Sequence, residues 1–264
     1  MRTLSYLLAL SYFFRTICDA LTVVTMSLNS QHILYDVPVS NNGARCRIIM
    51  YKKELDETEV RIVPHTDIGG LKSAEFLSLN PQGKIPVLHC PELGFSIPES
   101  DTISRYLLTK YADKGPSFLP DDHQSNLLSR FHDFYLTTIQ GCLYKDRPPF
   151  GIFATRSDAL AEFRKQLGVL DDLLMEQPQQ QQQQYLCGSE VSLADATIFP
   201  TMVFAKHMLP KFGFPSALPS KIDAWFENLK LSDPVFQRVY DEVRLVNVNS
   251  GIALRTDVSL LYCQ

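Results

Sequence analysis

The chain has 264 residues, of which 45% are hydrophobic and 20% charged, an ordinary globular composition with enough length for one large domain or two smaller ones. The formal net charge of −4, without a cluster of lysine and arginine, argues against nucleic acid as a partner. The six cysteines are scattered without a C-x-x-C pair, which argues against a zinc site or a dithiol redox motif and favours reduced thiols, as in the cytoplasm.

Residues 1–30 form an N-terminal extension or a targeting segment. The apolar run from Thr3 to Phe14 has the length of a signal peptide but is too short to span a bilayer. Arg15 and Asp19 interrupt this run, and Met26 stands just before the first predicted strand. A cytoplasmic protein with an upstream extension and a protein targeted to an organelle or the secretory pathway both fit this pattern.

Residues 31–111 predict a small α/β domain. Apolar alternation and helical periodicity predict strands at 31–37, 59–63, 85–89 and 95–97, and helices at 44–55, 71–79 and 102–111. The chain therefore starts with a β-α-β unit, which requires a parallel strand pair and a right-handed crossover. Gly115, Pro116 and Pro120 mark residues 112–122 as a linker.

Residues 123–246 predict an all-helical domain. The predicted helices cover 124–145, 159–175, a segment that begins after Ser192, 220–229 and 234–243. Ser192 and Asp195 have the spacing of a capping box, and the helix that they begin contains Pro200, which should kink it. The glutamines from Gln179 to Gln184 predict a lengthened connection, and residues 247–264 show no clear pattern and are predicted to be a tail.

Four motifs, in this order, carry a resemblance to a known family. They are Leu34 to Ser40 leading through Arg45 and Arg47 into a helix, Asn80 to Leu88 (NPQGKIPVL), Glu99-Ser100 before a helix, and the capping box after Tyr185 to Gly188. Each is weak alone, but the set resembles the cytosolic glutathione S-transferase superfamily, in its serine-type, phi-like and bacterial-like members. The resemblance covers Ile33 to Val243. It implies α/β plus all-α architecture: a thioredoxin-like N-terminal domain followed by an all-helical C-terminal domain.

The resemblance implies that Ser40 is the catalytic residue. A free thiol, with a pKa near ~8.5, is mostly protonated at neutral pH, and a hydroxyl donor or a helix N-terminus stabilises the thiolate. Ser40 precedes the first helix and offers both, although a turn serine that bonds its own backbone is the ordinary alternative. Asn41 and Asn42 depart from a strict family pattern, and either could hold the sulfur of glutathione instead. Cys46 is expected to be packed inside the helix, which favours conjugation or peroxide reduction over thiol transfer.

The resemblance also implies a binding site for glutathione, which is a cosubstrate, and no cofactor or metal. The backbone of Ile85, before a cis-Pro86, would pair with the cysteinyl backbone. Ser100 and the helix N-terminus would bind the γ-glutamyl carboxylate, and Glu99 the ammonium. The preceding loop adds two candidates: Gln82, and Lys84, which faces either the glycyl carboxylate or solvent.

Phe131 and Tyr135 recur at helical spacing and are candidates for the electrophile pocket, with core packing as the alternative. The implied function is transfer of glutathione to small hydrophobic electrophiles, with peroxide reduction as a further activity. The alternative is a non-catalytic, transferase-like binding or docking module. Expected partners are glutathione, the electrophile and a second copy in a homodimer, without a stable membrane span.

Overall fold

The computed structural model describes residues 31–174, 184–215 and 218–249. The predictions for residues 1–30, for most of the glutamine tract and for residues 250–264 fall on residues outside these ranges. Among the helices in these ranges, none combines the length and the apolar character that crossing a bilayer requires.

The α/β domain is built on a four-stranded sheet in the order β2-β1-β3-β4. The strands are β1 His32–Tyr35, β2 Val60–Val63, β3 Val87–Cys90 and β4 Phe95–Pro98. As predicted, β1 and β2 are parallel, while β3 is antiparallel to both of its neighbours. Strand β3 starts at Val87 instead of residue 85, because Pro86 has no amide hydrogen for the ladder.

Three helices belong to this domain: α1 Asn41–Lys52, α2 Ala74–Leu79 and α3 Ser100–Lys110. Helices α1 and α3 pack against each other. Phe76 of α2 forms a separate small core with Tyr35 and Val87. Helix α1 begins at Asn41, earlier than predicted, because the side chain of Ser40 caps it.

The second domain consists of α4 His123–Phe131, α5 Arg156–Leu173, α6 Leu193–Met208, α7 Ser220–Ser232 and α8 Pro234–Asn249. Helix α6 is its centre, because most of its side chains are buried and it packs against α1, α4 and α8. One hydrophobic core therefore runs from Leu34 and Ile48 in the first domain to Phe199 and Phe236 in the second. The predicted fold class, an α/β domain followed by an all-helical domain, is confirmed.

The prediction of one helix over residues 124–145 is wrong. Helix α4 ends at Phe131, a π-helical turn covers His132–Leu136, and a 3-10 helix covers Gln140–Leu143. The amide of Thr137 donates to the carbonyl of His132 at 2.9 Å, which is the wider spacing of a π turn. The hydroxyl of Thr138 also bonds the carbonyl of Phe134 at 3.1 Å, and such side-chain bonds compete with a regular helix.

The start of α1 packs tightly onto the end of β1. A Cβ atom added at Gly43 would overlap the carboxylate of Asp36, so only glycine fits at this position. The same carboxylate is buried in an ion pair with Arg47, one turn further along α1. The close approach of Gly43 therefore allows a buried carboxylate beneath the helix start.

The capping box predicted at Ser192 and Asp195 is present and fully buried. One carboxylate oxygen of Asp195 accepts from the amide and hydroxyl of Ser192, at 2.8 and 2.6 Å. The other accepts from the amide of Leu186 and the indole of Trp225, both at 2.9 Å. Burial raises the pKa of Asp195, although these bonds oppose the shift. The box therefore joins α6 both to the preceding loop and to α7.

Replacing Asp195 by alanine is expected to lower the free energy of unfolding by about 3 kcal/mol, because its buried donors would lose their acceptor. Urea unfolding measures this change. Asp158→Ala is the matched control, since Asp158 forms the equivalent contact with Thr155 on an exposed surface. That change should lower stability by at most about 1 kcal/mol. Equal losses in the two variants would contradict the role given to burial.

Replacing Gly43 by alanine is expected to lower the free energy of unfolding by about 2 kcal/mol, because the new methyl group overlaps Asp36. Gly168 lies inside α5 with open space around its Cβ position. Gly168→Ala should therefore stabilise the protein by about 0.5–1 kcal/mol. Thermal and urea unfolding of both variants distinguish the two positions, and stabilisation by Gly43→Ala would contradict the overlap.

Candidate functional site

The strand register brings the predicted motifs to one end of the sheet. Val87 pairs with Tyr35 on one side and with Pro98 on the other. Because both pairs are antiparallel, the residue before Val87, which is Pro86, lies beside the residues that follow Tyr35 and Pro98. These residues are Asp36 and Glu99. From this edge the chain enters α1 through the turn at residues 37–40, called here the Ser40 turn, and it enters α3 at Ser100.

Ser40 is the N-cap of α1 and is only 1% exposed. Its Oγ accepts a hydrogen bond from the amide of Gly43 at 3.0 Å, and its own amide donates to the carbonyl of Val37 at 3.0 Å. Ser40 therefore has the ordinary structural role of a turn serine, because it caps α1 and bonds the backbone of its own turn. A hydroxyl that accepts one bond keeps its own hydrogen for donation. The buried carboxylate of Asp36 competes for this hydrogen, because a hydrogen bond from Ser40 lowers the pKa of Asp36.

Asn41 and Asn42 lie in the first turn of α1 and face different surroundings. Asn41 is buried, and its Nδ2 donates to Gln140 at 2.6 Å and to Thr201 at 3.2 Å. Its Oδ1 accepts from the amide of Asn42 at 3.0 Å. The side chain of Asn41 thus anchors α1 to the helical domain, which argues against it as a donor to a ligand. Asn42 is partly exposed.

Helix α3 begins with an open N-terminus. Glu99, its N-cap, has a φ of 71° and forms no side-chain bond to the first amides of the helix. A residue other than glycine is strained in this left-handed region by about 1–3 kcal/mol, and such residues cluster at functional sites. The Glu99 side chain is exposed and Ser100 is partly exposed. Amides, a hydroxyl and a carboxylate are therefore presented together.

Asn80, which belongs to a predicted motif but has no predicted role, holds the loop before Pro86. Asn80 is buried, its Nδ2 donates to the carbonyl of Lys84 at 2.8 Å, and its Oδ1 accepts from the amide of Gln82 at 3.1 Å. The side chains of Gln82 and Lys84 are exposed. The peptide bond between Ile85 and Pro86 is cis. Within the described chain, neither the amide nor the carbonyl of Ile85 has a hydrogen-bond partner.

Arg45 links three elements around this edge and is itself buried. It donates to Asp101 in the first turn of α3 at 2.6 Å and to both oxygens of Asp133 at 3.1 and 3.2 Å. Burial would raise the pKa of Asp133, but His132 and Arg45 hold it below its usual value. The sequence motif contains Arg45 but does not reveal its partners, because Asp101 and Asp133 lie far away along the chain.

His132 and Cys46 have no ligand-facing role in this arrangement. His132 is buried, its Nε2 lies 2.7 Å from the hydroxyl of Thr201, and burial lowers its pKa. Cys46 is fully buried, and burial raises its pKa to about 12. A thiol with this pKa is protonated at neutral pH and is a weak nucleophile, in agreement with the packing role predicted for Cys46.

Phe131 and Tyr135 contact each other, with ring centroids 5.0 Å apart. Phe131 is buried, whereas Tyr135 is 53% exposed. The contacts that reach the Ser40 turn from this part of the chain come from Gln140 and, through Arg45, from Asp133. The structure therefore brings the aromatic pair together without joining it to the Ser40 turn.

Comparison with known proteins gives consistent matches over both domains. The family models for the glutathione S-transferase N-terminal and C-terminal domains match residues 34–116 and 153–228. The chain is 30% identical over 228 residues to glutathione S-transferase 3 of Zea mays, covering 80% of this chain and 94% of that protein. It is 28% identical over 200 residues to elongation factor 1-gamma 2 of Oryza sativa subsp. japonica, covering 72% of this chain and 44% of that protein.

A solved structure, glutathione S-transferase III in its apo form, has a TM-score of 0.60 and 28% identity, and the match covers 80% of this chain and 95% of that one. The fold, the strand register at the candidate site and the relative from Zea mays thus agree. On these grounds the chain belongs to the glutathione S-transferase family.

Proposed function

We propose that the protein is a glutathione transferase that joins the sulfur of glutathione to small hydrophobic electrophiles. The observation that carries this proposal is the convergence at one sheet edge of the Ser40 turn, the unpaired backbone of Ile85 and the open N-terminus of α3. Glutathione is a tripeptide, and three of its parts suit these three features: the thiol suits the Ser40 turn, the cysteinyl backbone suits Ile85, and the γ-glutamyl end suits the start of α3.

The proposed reaction depends on ionisation of the bound thiol. The thiol loses its proton to solvent, and the thiolate then attacks an electrophilic carbon, which forms a thioether as the leaving group departs or a double bond accepts a proton. The hydroxyl of Ser40 donates to the sulfur, and the N-terminus of α1 adds its positive dipole end. Asn42, which is partly exposed in the same turn, is the second candidate donor.

The remaining groups bind the rest of glutathione in this proposal. The backbone of Ile85 pairs with the cysteinyl backbone as an added strand would. Ser100 and the amides at the start of α3 bind the γ-glutamyl carboxylate, and Glu99 binds the ammonium. Gln82 and Lys84 are exposed on the adjoining loop, where Lys84 faces the glycyl carboxylate.

We place the electrophile beside the helical domain, with Phe131 and Tyr135 as the candidate apolar contacts. Tyr135 is the accessible member of this pair, since its ring is 53% exposed while Phe131 is buried. Peroxide reduction by the same thiolate is a further proposed activity. Family membership supports a homodimer, and the scattered cysteines support a cytoplasmic location.

Two observations favour the second candidate, a non-catalytic binding or docking module. Ser40 is almost fully buried and its oxygen already caps α1, and a relative over both domains is named an elongation factor. Capture on immobilised glutathione followed by assays with a panel of electrophiles separates the two. A transferase is retained and turns over at least one electrophile, whereas a module is not retained or is retained without turnover.

Replacing Ser40 by alanine is expected to lower turnover at saturating glutathione by about tenfold or more, because the thiolate loses its donor. Steady-state kinetics and the ultraviolet absorbance of the bound thiolate measure this effect. Ser73→Ala is the control, because Ser73 caps α2 through the amide of Phe76 at 3.0 Å. It removes the same kind of cap without touching the candidate site, so turnover should persist. Unchanged turnover in Ser40→Ala, with loss in Asn42→Ala, would transfer the role to Asn42.

Replacing Ser100 by alanine or Glu99 by glutamine is expected to raise the dissociation constant of glutathione about tenfold, with little change in turnover at saturation. The reason is that these groups bind the γ-glutamyl end, remote from the sulfur. Titration calorimetry with reduced glutathione measures the change. Glu92→Gln, on an exposed turn of the same domain, is the charge-matched control. Equal affinity in all variants would move the γ-glutamyl end away from α3.

A further inference from the structure

A second buried arginine lies beneath the turn that carries Ser40. Arg47 is almost completely buried, and it pairs with the carboxylate of Asp36. It also donates to the carbonyl of Val37 at 3.1 Å and to that of Pro38 at 2.7 Å. One guanidinium group therefore holds three consecutive residues, from the end of β1 into the turn.

Arg47 and the amide of Ser40 donate hydrogen bonds to the same acceptor. The carbonyl of Val37 accepts from Arg47 and also from the amide of Ser40, at 3.0 Å. The position of the Ser40 backbone thus depends on where Arg47 holds Val37. Since a planar guanidinium has its donors in a fixed fork, it transmits its own position to the groups it binds.

A fourth hydrogen bond of Arg47 reaches out of the first domain. Its Nε donates to Glu242 of α8 at 3.0 Å, and Glu242 accepts from the hydroxyl of Tyr51 and from Arg238, both at 3.0 Å. Burial would lower the pKa of Arg47, but Asp36 and Glu242 hold it above its usual value, so it stays charged. The last described helix thereby anchors the guanidinium group.

We propose that Glu242 is a positioning residue for thiolate formation, which it controls by fixing Arg47 and hence the turn that carries Ser40. The inference rests on the proposed function and assigns to α8, at the opposite end of the chain from Ser40, a part in activating glutathione. A hydroxyl donor stabilises developing charge only when it is held at the right distance before the reaction. Glu242 supplies that constraint without touching the tripeptide.

The chain contains a matched control for a purely structural role. Lys52, at the C-terminal end of α1, pairs with Asp233 just before α8. This pair ties α1 to the residue directly before α8, whereas the Arg47–Glu242 pair ties α1 to α8 itself, and the Lys52–Asp233 pair has no contact with the Ser40 turn. Loss of either pair should loosen the two helices, and only loss of Glu242 should affect the sulfur.

The test measures the pKa of glutathione bound to the full-length protein, by thiolate absorbance and by the pH profile of turnover between about pH 5 and 9. In Glu242→Ala the bound thiol pKa is expected to rise by about half a unit to one unit, and turnover at neutral pH to fall about three- to tenfold and recover at higher pH. The KM for glutathione should be unchanged. Glu242→Gln, which keeps an acceptor for Arg47, should lie between Glu242→Ala and the wild type, and Lys52→Met should keep the wild-type thiol pKa.

The results that would contradict the inference differ from the expected result in the direction of the thiol pKa shift or in the variant that shows it. Removing a negative charge without any positioning effect would lower the thiol pKa, because a nearby carboxylate disfavours a thiolate. A lowered or unchanged pKa in both Glu242 variants would therefore overturn the proposal, as would an equal rise in Lys52→Met. A wild-type protein that neither binds nor ionises glutathione would remove the proposed function itself, and this inference with it.

Discussion

The need to neutralise two buried arginines on one helix organises most of the structure around the candidate site. Helix α1 packs against α3, α6 and α8, and Arg45 and Arg47 are both removed from water. A buried charge without a partner is destabilising by several kcal/mol, so carboxylates must reach both groups. Asp101 and Asp133 come to Arg45, and Asp36 and Glu242 to Arg47. These pairs bring four separate parts of the chain to the same helix.

Replacing such pairs by apolar groups often leaves stability unchanged or improves it, so their presence is weak evidence for a role in stability. Their effect here is geometric. Three of the four pairs fix the distance between α1 and an element that carries part of the candidate site, namely the start of α3, the π turn and the end of β1 before Ser40. The fourth pair joins α1 to α8. A displacement of α1 along its axis by a fraction of a helical turn would break several bonds of Arg45 and Arg47 at once. The site is therefore held by interactions that oppose small displacements.

The elements that the sequence predicted well are those whose determinants are local. The Ser192 and Asp195 capping box is a pattern within one turn, and the strands of the sheet follow from apolar alternation over a few residues. The break after Phe131 was missed, because a π turn depends on a single shifted backbone bond that periodicity does not reveal. The left-handed Glu99 was also missed, since glycine is the residue that normally marks such a position.

In the candidate site too, local features are predictable from the sequence and long-range contacts are not. Residue types and order predict that Ser40, Ile85 and Glu99 belong to one set, but only the register of Val87 with both neighbouring strands shows that the segments carrying them start from one edge of the sheet. Partners from the helical domain, such as Gln140 for Asn41 and Glu242 for Arg47, have no local signal. Side chains of the second domain therefore hold one end of the turn that carries Ser40 directly, at Asn41, and the other end through Arg47. Because they fix groups of the first domain, the geometry of this turn is a property of the two domains together.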